Sequence, residues 1–315
     1  MTAARPTRSP SRTLSTALPL SHLALALAVV AVWGSNFVVI ELALAKLPPL
    51  LLATLRFACA FLPGALLLPR PRVSLRALAG YGLAIGVGQF ALLYLAMTRF
   101  ISPGLASLVV QTQVFFSIGL ALLALREPVR GAQLAALALA AAGIGWIGTH
   151  TGGDATPLGL ALVLCAALGW ASGNLVAKRA RPEDMLAFTV WSSAFAVPPL
   201  LALSFWFEGG PAIAAGLAGA DAWTWAAVLF QGWGNTGFGY GGWNWLLARH
   251  PVATVAPLSL LVPVVGMAGS AWLLGEALPG WKLGAAALVI AGLALNALAP
   301  RLAARPPRRG ETRGV

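Results

Sequence analysis

Long apolar runs dominate this sequence, and few side chains inside them could do chemistry. One is a cation, Arg56, and six are primary amides: Asn36, Gln89, Gln111, Gln113, Asn174 and Asn235. A guanidinium donates a planar fork that matches a carboxylate. A primary amide offers donor and acceptor together, which suits a solute carrying both an ammonium and a carboxylate. Trp33, Trp170 and Tyr240 add aromatic faces, and Gln231 opens the glycine-rich stretch that contains Asn235. These eleven residues are the candidate solute-binding set. Each has a structural alternative. Amides join helices through hydrogen bonds worth about 0.6–2 kcal/mol, the tryptophans could simply pack the core, and Arg56 could bond helix-end carbonyls or reach Glu41. Gln111 and Gln113 stand about 200° apart on a helix of 3.6 residues per turn, so they are not expected to face one cavity squarely.

Other chemistries find no residues to carry them. His22, His150 and His250 are far apart and lie at the ends of runs, while Cys59 and Cys165 sit inside runs. Neither a metal cluster nor a disulfide framework is expected. No HExxH, no Ser-His-Asp set and no pair of deep carboxylates appears, so an intramembrane enzyme is not expected and no cofactor is implied. Gly232-Trp233-Gly234-Asn235-Thr236-Gly237 spells GxGxxG, but no strand precedes it. A channel would show charged rings or a filter loop, and neither is visible. Without an ATP-binding loop, any pumping must draw on a gradient or on exchange.

The elements that hold these residues follow from composition. Of the 315 residues, 59% are hydrophobic and 10% charged, against about 45–50% and about 25% in soluble domains. Apolar runs bounded by charges, Pro and Gly give ten spans, at 24–44, 49–69, 77–97, 104–125, 131–148, 158–178, 185–207, 223–247, 253–274 and 281–298. The connection from Glu208 to Asp221 is the longest and reads as a short interfacial helix. The first run is too long for a cleaved signal and reads as a retained helix behind a basic tail. Placing the N-terminus in the cytoplasm puts 17 of the 21 Lys and Arg on inside segments. Lys46, Arg99 and Lys282 fall outside, and Arg56 lies within a span. This split is a strong positive-inside signal. The net charge of +12 is thereby a determinant of topology, and nucleic acid is not an expected partner.

A shift of 149 residues lays Glu127 on Glu276, Gly131 on Gly280, Leu134 on Leu283 and Gly143 on Gly292. Trp33-Gly34-Ser35-Asn36 likewise echoes Trp170-Ala171-Ser172-Gly173-Asn174. Five spans per half is odd, so the second half enters the membrane from the opposite side. Inverted repeats of this kind bind solute near the midplane, between the halves. The eighth span, with six glycines between Gln231 and Asn244, reads either as a flexing cavity wall or as close helix packing. Pro257 and Pro263 kink the ninth span or free carbonyls in it.

Four stretches carry a family likeness: Val32-Trp33-Gly34-Ser35-Asn36-Phe37-Val38-Val39-Ile40, Leu55-Arg56-Phe57, Pro103-Gly104-Leu105-Ala106-Ser107-Leu108, and Val255-Ala256-Pro257-Leu258-Ser259-Leu260-Leu261-Val262-Pro263-Val264-Val265-Gly266. In these the sequence resembles the EamA-type members of the drug/metabolite transporter superfamily, over about residues 22–300. The likeness is greatest to bacterial exporters of cysteine-pathway metabolites such as O-acetylserine and cysteine. It implies an all-α integral membrane protein of ten transmembrane helices in two inverted five-helix EamA repeats, 23–148 and 157–298, with basic cytoplasmic tails at 1–22 and 299–315. It further implies an inner-membrane location, export of small amino-acid-like solutes by alternating access, and solute and lipid as partners. A transporter of another small metabolite or drug is the alternative, and a homodimer is left open. In one place the sequence departs from the family. Gly-Glu-Arg is common after the fourth and ninth spans, but here Arg126-Glu127-Pro128 and Gly275-Glu276-Ala277 stand there. The basic neighbour that would pair with each Glu is missing or moved.

Overall fold

The structure, a computed structural model, describes residues 18–126, 131–150, 153–250 and 252–303. The predicted tails fall largely outside these ranges, although the first helix already begins at Leu20 and the last continues to Ala303. Among the described residues the secondary structure is helical, with one isolated bridge joining Ile101 and Ala155. Among the described residues, nine helices are long and apolar enough to cross a membrane: Leu20–Leu44, Pro49–Leu67, Leu75–Arg99, Pro103–Ala124, Gly131–Thr149, Pro157–Ala180, Met185–Phe207, Ala256–Leu274 and Gly280–Leu298. The remaining span is Ala222–Leu247, bent by 103° from the short helix Gly209–Gly219 before it. Spans are numbered first to tenth in chain order, with Ala222–Leu247 the eighth.

Local chemistry fixes where the helices start and stop. Pro49, Pro103 and Pro157 occupy first turns, where a missing N–H costs nothing. Thr156, Asp184 and Asp221 cap the sixth, seventh and eighth spans by accepting from Gly159 N, Leu186 N and Thr224 N at 3.0, 2.8 and 2.8 Å. The hydrogen bonds from Thr224 hold the Asp221 carboxyl below its ordinary range. The second span is capped from another helix. Glu208, at the end of the seventh, accepts from Leu50 N at 2.6 Å and Leu51 N at 3.1 Å. The fourth and ninth spans both end on a left-handed residue, Arg126 with φ 55° and Gly275 with φ 69°, positions 149 apart.

Packing obeys the inverted repeat. The first span packs on the ninth, and its counterpart, the sixth, packs on the fourth; the second meets the seventh and the fifth meets the tenth. The first and ninth run parallel, because Gly34 faces Val265 while Val38 faces Gly269. Irregularities repeat as well. The third and eighth spans carry π-helical segments at Ala84–Ala91 and Phe230–Tyr240, and the fourth and ninth carry 3₁₀ turns at Val110–Thr112 and Ala256–Leu260. Trp206, Trp223 and Trp272 stand exposed at one end of the bundle, as interfacial aromatics do.

Candidate functional site

The helix irregularities surround one cavity of about 350 Å³. Its wall comes from the first, third and fourth spans of one half and from their counterparts, the sixth, eighth and ninth, of the other, with Met185 and Leu293 at its margin. The lining reaches Met185 and Asn244, which lie at the ends of their helices on the arginine-rich side of the bundle. The cavity therefore opens toward that end. A π segment widens the helix locally and frees backbone groups that an α-helix would use. Within the π segment, the Asn235 carbonyl accepts from the Trp33 indole Nε1 at 3.3 Å. Gly239 makes room for the ring, because a Cβ there would collide with the indole.

Nine of the eleven predicted residues line the cavity: Trp33 and Asn36, Gln89, Gln111 and Gln113, Trp170 and Asn174, Asn235 and Tyr240. Gln111 and Gln113 do so together, against expectation. A 3₁₀ turn of three residues per turn reduces their angular separation from about 160° to about 120°. Gln113 also accepts from Asn174 Nδ2 at 3.0 Å, tying the fourth span to the sixth. Phe37, Tyr81, Phe90, Met185, Trp243 and Asn244 also line the cavity and were not among the predicted residues. Among the described residues, no lining side chain carries a formal charge. Three buried amide atoms of the wall have no protein partner, Asn36 Oδ1, Gln89 Oε1 and Asn244 Nδ2. Buried polar atoms are rarely left so.

Arg56 and Gln231 lie outside the lining. The guanidinium carbon sits 3.6 Å from the centroid of the Phe90 ring, which itself forms cavity wall. Arg56 Nη1 donates to Tyr94 Oη at 3.0 Å, and that hydroxyl donates in turn to Gln231 Oε1. The chain of three braces the second, third and eighth spans. Neither predicted structural partner is used, since Arg56 bonds no helix-end carbonyl and pairs with no carboxylate among the described residues. Arg56 is 1% exposed, so Phe90 stands between this cation and any solute.

The family model of EamA-like transporters matches residues 20–149 and again 157–298. The chain belongs to the EamA-like transporter family. Two relatives are named probable amino-acid metabolite efflux pumps. The one from Salmonella typhimurium is 42% identical over 278 residues, and the one from Escherichia coli is 41% identical over 279; each alignment covers 86% of this chain and 93% of the relative. A probable terminal-alkyne amino-acid exporter of Streptantibioticus cattleyicolor is 29% identical, covering 84% of this chain and 90% of its own. A crystal structure with 19% identity superposes with a TM-score of 0.63, covering 91% of this chain and 99% of that one, a likeness of fold. For this EamA-like transporter, a multi-pass membrane protein, the cavity between the two matched repeats is the place to look for solute.

Proposed function

We propose that the protein exports small, net-neutral amino-acid-like metabolites from the cytoplasm across the bacterial inner membrane by alternating access. The observation that carries this reading is the cavity, which lies between the repeats, is uncharged and is furnished with amides and aromatic faces. A zwitterion needs donors and acceptors without a fixed counter-charge, and the primary amides that line the wall carry both. The aromatic rings can face an ammonium. Trp33, Asn36, Gln89, Gln111, Gln113, Trp170, Asn174, Asn235 and Tyr240 touch solute in this account. Arg56 and Gln231 act from behind the wall: Gln231 fixes Tyr94, and Arg56 contributes a positive field through Phe90. The names of the relatives support amino-acid metabolites as the class. The Lys/Arg distribution supports cytoplasmic termini, which makes the cavity mouth cytoplasmic.

Overexpression tests this in cells. Intracellular cysteine-pathway metabolites should fall, and tolerance to toxic amino-acid analogues should rise. Unchanged efflux across a broad amino-acid panel, in cells where the protein is shown to be inserted, would contradict the reading.

A further inference from the structure

The end of the bundle away from the cavity mouth is sewn shut. Lys282, at the start of the tenth span, is fully buried, and its Nζ lies 2.8 Å from Glu276 Oε1 and 2.8 Å from Asp154 Oδ2. A third contact, to the Ala277 carbonyl at 2.8 Å, completes its shell. The Glu276 carboxylate also caps the fourth span, accepting from Gly104 N at 2.9 Å and Ser102 Oγ at 2.5 Å. Ser102 N donates to the Asp154 carbonyl at 2.7 Å, and Thr156 N donates to that of Phe100 at 2.7 Å. One ammonium thus joins the link between the ninth and tenth spans to that between the fifth and sixth, and through Glu276 to the fourth span. Two further titratable groups face the cluster. Glu41 of the first span is within electrostatic reach of Glu276, and His150 stacks on Trp281 with centroids 4.9 Å apart.

The repeat makes this cluster informative. Two identical inverted halves would close either end of the molecule equally well, so differences between them set which end is shut at rest. Under the 149-residue shift, Lys282 falls on Gln133, a neutral amide. A desolvated ammonium between two carboxylates is far harder to separate than an amide in the same place, because removing one partner strands a buried charge.

We propose that Lys282, Glu276 and Asp154 form a charged latch that holds the end away from the cavity mouth closed. The latch biases the resting molecule toward the state described here and must separate before solute leaves. This inference rests on the transporter reading only for its last step, the release of solute.

The test uses the full chain with Cys59 and Cys165 replaced by serine and a single reporter, Gln111→Cys, in the cavity. A membrane-impermeant maleimide is applied to sealed vesicles from each side in turn. Lys282→Gln, which copies the residue of the first repeat, should raise the labelling rate from the latch side at least tenfold and lower it from the arginine-rich side. Asp154→Asn should shift both rates the same way by less, and Lys282→Arg should keep them near the parent values. Parent-like rates in folded Lys282→Gln protein would overturn the latch. Should that variant fail to fold, parent-like rates in both Asp154→Asn and Glu276→Gln would overturn it. The readout needs no solute, so shifted labelling together with an absence of export by the unmodified chain would uphold the latch and sink the export reading.

Discussion

Arg56 brings a cation to mid-bundle with no carboxylate paired to it among the described residues, yet Phe90 keeps it from contact with solute. A unit charge acting across one ring, at about 7 Å in an effective dielectric of about 20, is worth about 2 kcal/mol. Arg56→Met keeps the volume and removes the field. It should weaken apparent affinity for amino acids about tenfold, relative to their uncharged-carboxyl amides, while the yield of monodisperse protein holds. An unchanged ratio in competition assays would reduce the arginine to a brace of the wall. Asn36→Ala should act differently, altering which solutes compete, because it deletes a hydrogen-bonding group and no charge. The depth of the amides in apolar runs made them legible in the sequence. Tyr81 and Phe90 were not legible, since an aromatic residue in such a run reads the same whether it faces lipid, a neighbour or a cavity.

At the scale of elements, the helix irregularities build the site. Gly239→Ala drives a methyl into the Trp33 indole and should cost about 1–3 kcal/mol as overpacking, along with a loss of transport. Gly237, with no atom near its missing Cβ, offers the contrast: Gly237→Ala should be neutral or stabilising by up to about 1 kcal/mol. Thermal unfolding in detergent separates the two, and equal shifts would count against the close approach at Trp33. Arg126 holds a left-handed conformation that its repeat partner Gly275 adopts freely. Arg126→Gly should therefore raise stability by about 1 kcal/mol, read in the same melting assay. Span positions were largely readable from charges, Pro and Gly, and the helix at Gly209–Gly219 was anticipated. The π and 3₁₀ segments were not. They leave no mark in composition beyond glycines, which close packing would also explain, and Gln111 and Gln113 were misjudged for that reason. The Glu276 turn shows the same limit. A cation adjacent in sequence was absent, and Lys282, six residues on, supplied it.

At the scale of the molecule, two matched halves face each other across a cavity, with the Lys282 cluster at one end and arginines around the other. If the Lys/Arg distribution sets orientation, both termini lie in the cytoplasm. A reporter fused after Val315 that is active only in the cytoplasm is the expected result, and periplasmic activity would contradict a ten-span chain inserted this way. The central claim is that this cavity carries net-neutral amino-acid-like solutes out of the cytoplasm. Uptake of labelled O-acetylserine and cysteine into inside-out vesicles tests it most directly. The account predicts saturable uptake above that of empty vesicles, inhibited by other zwitterionic amino acids and not by dicarboxylates. Uptake equal to that of empty vesicles across the zwitterions, with the protein present and folded, would contradict it.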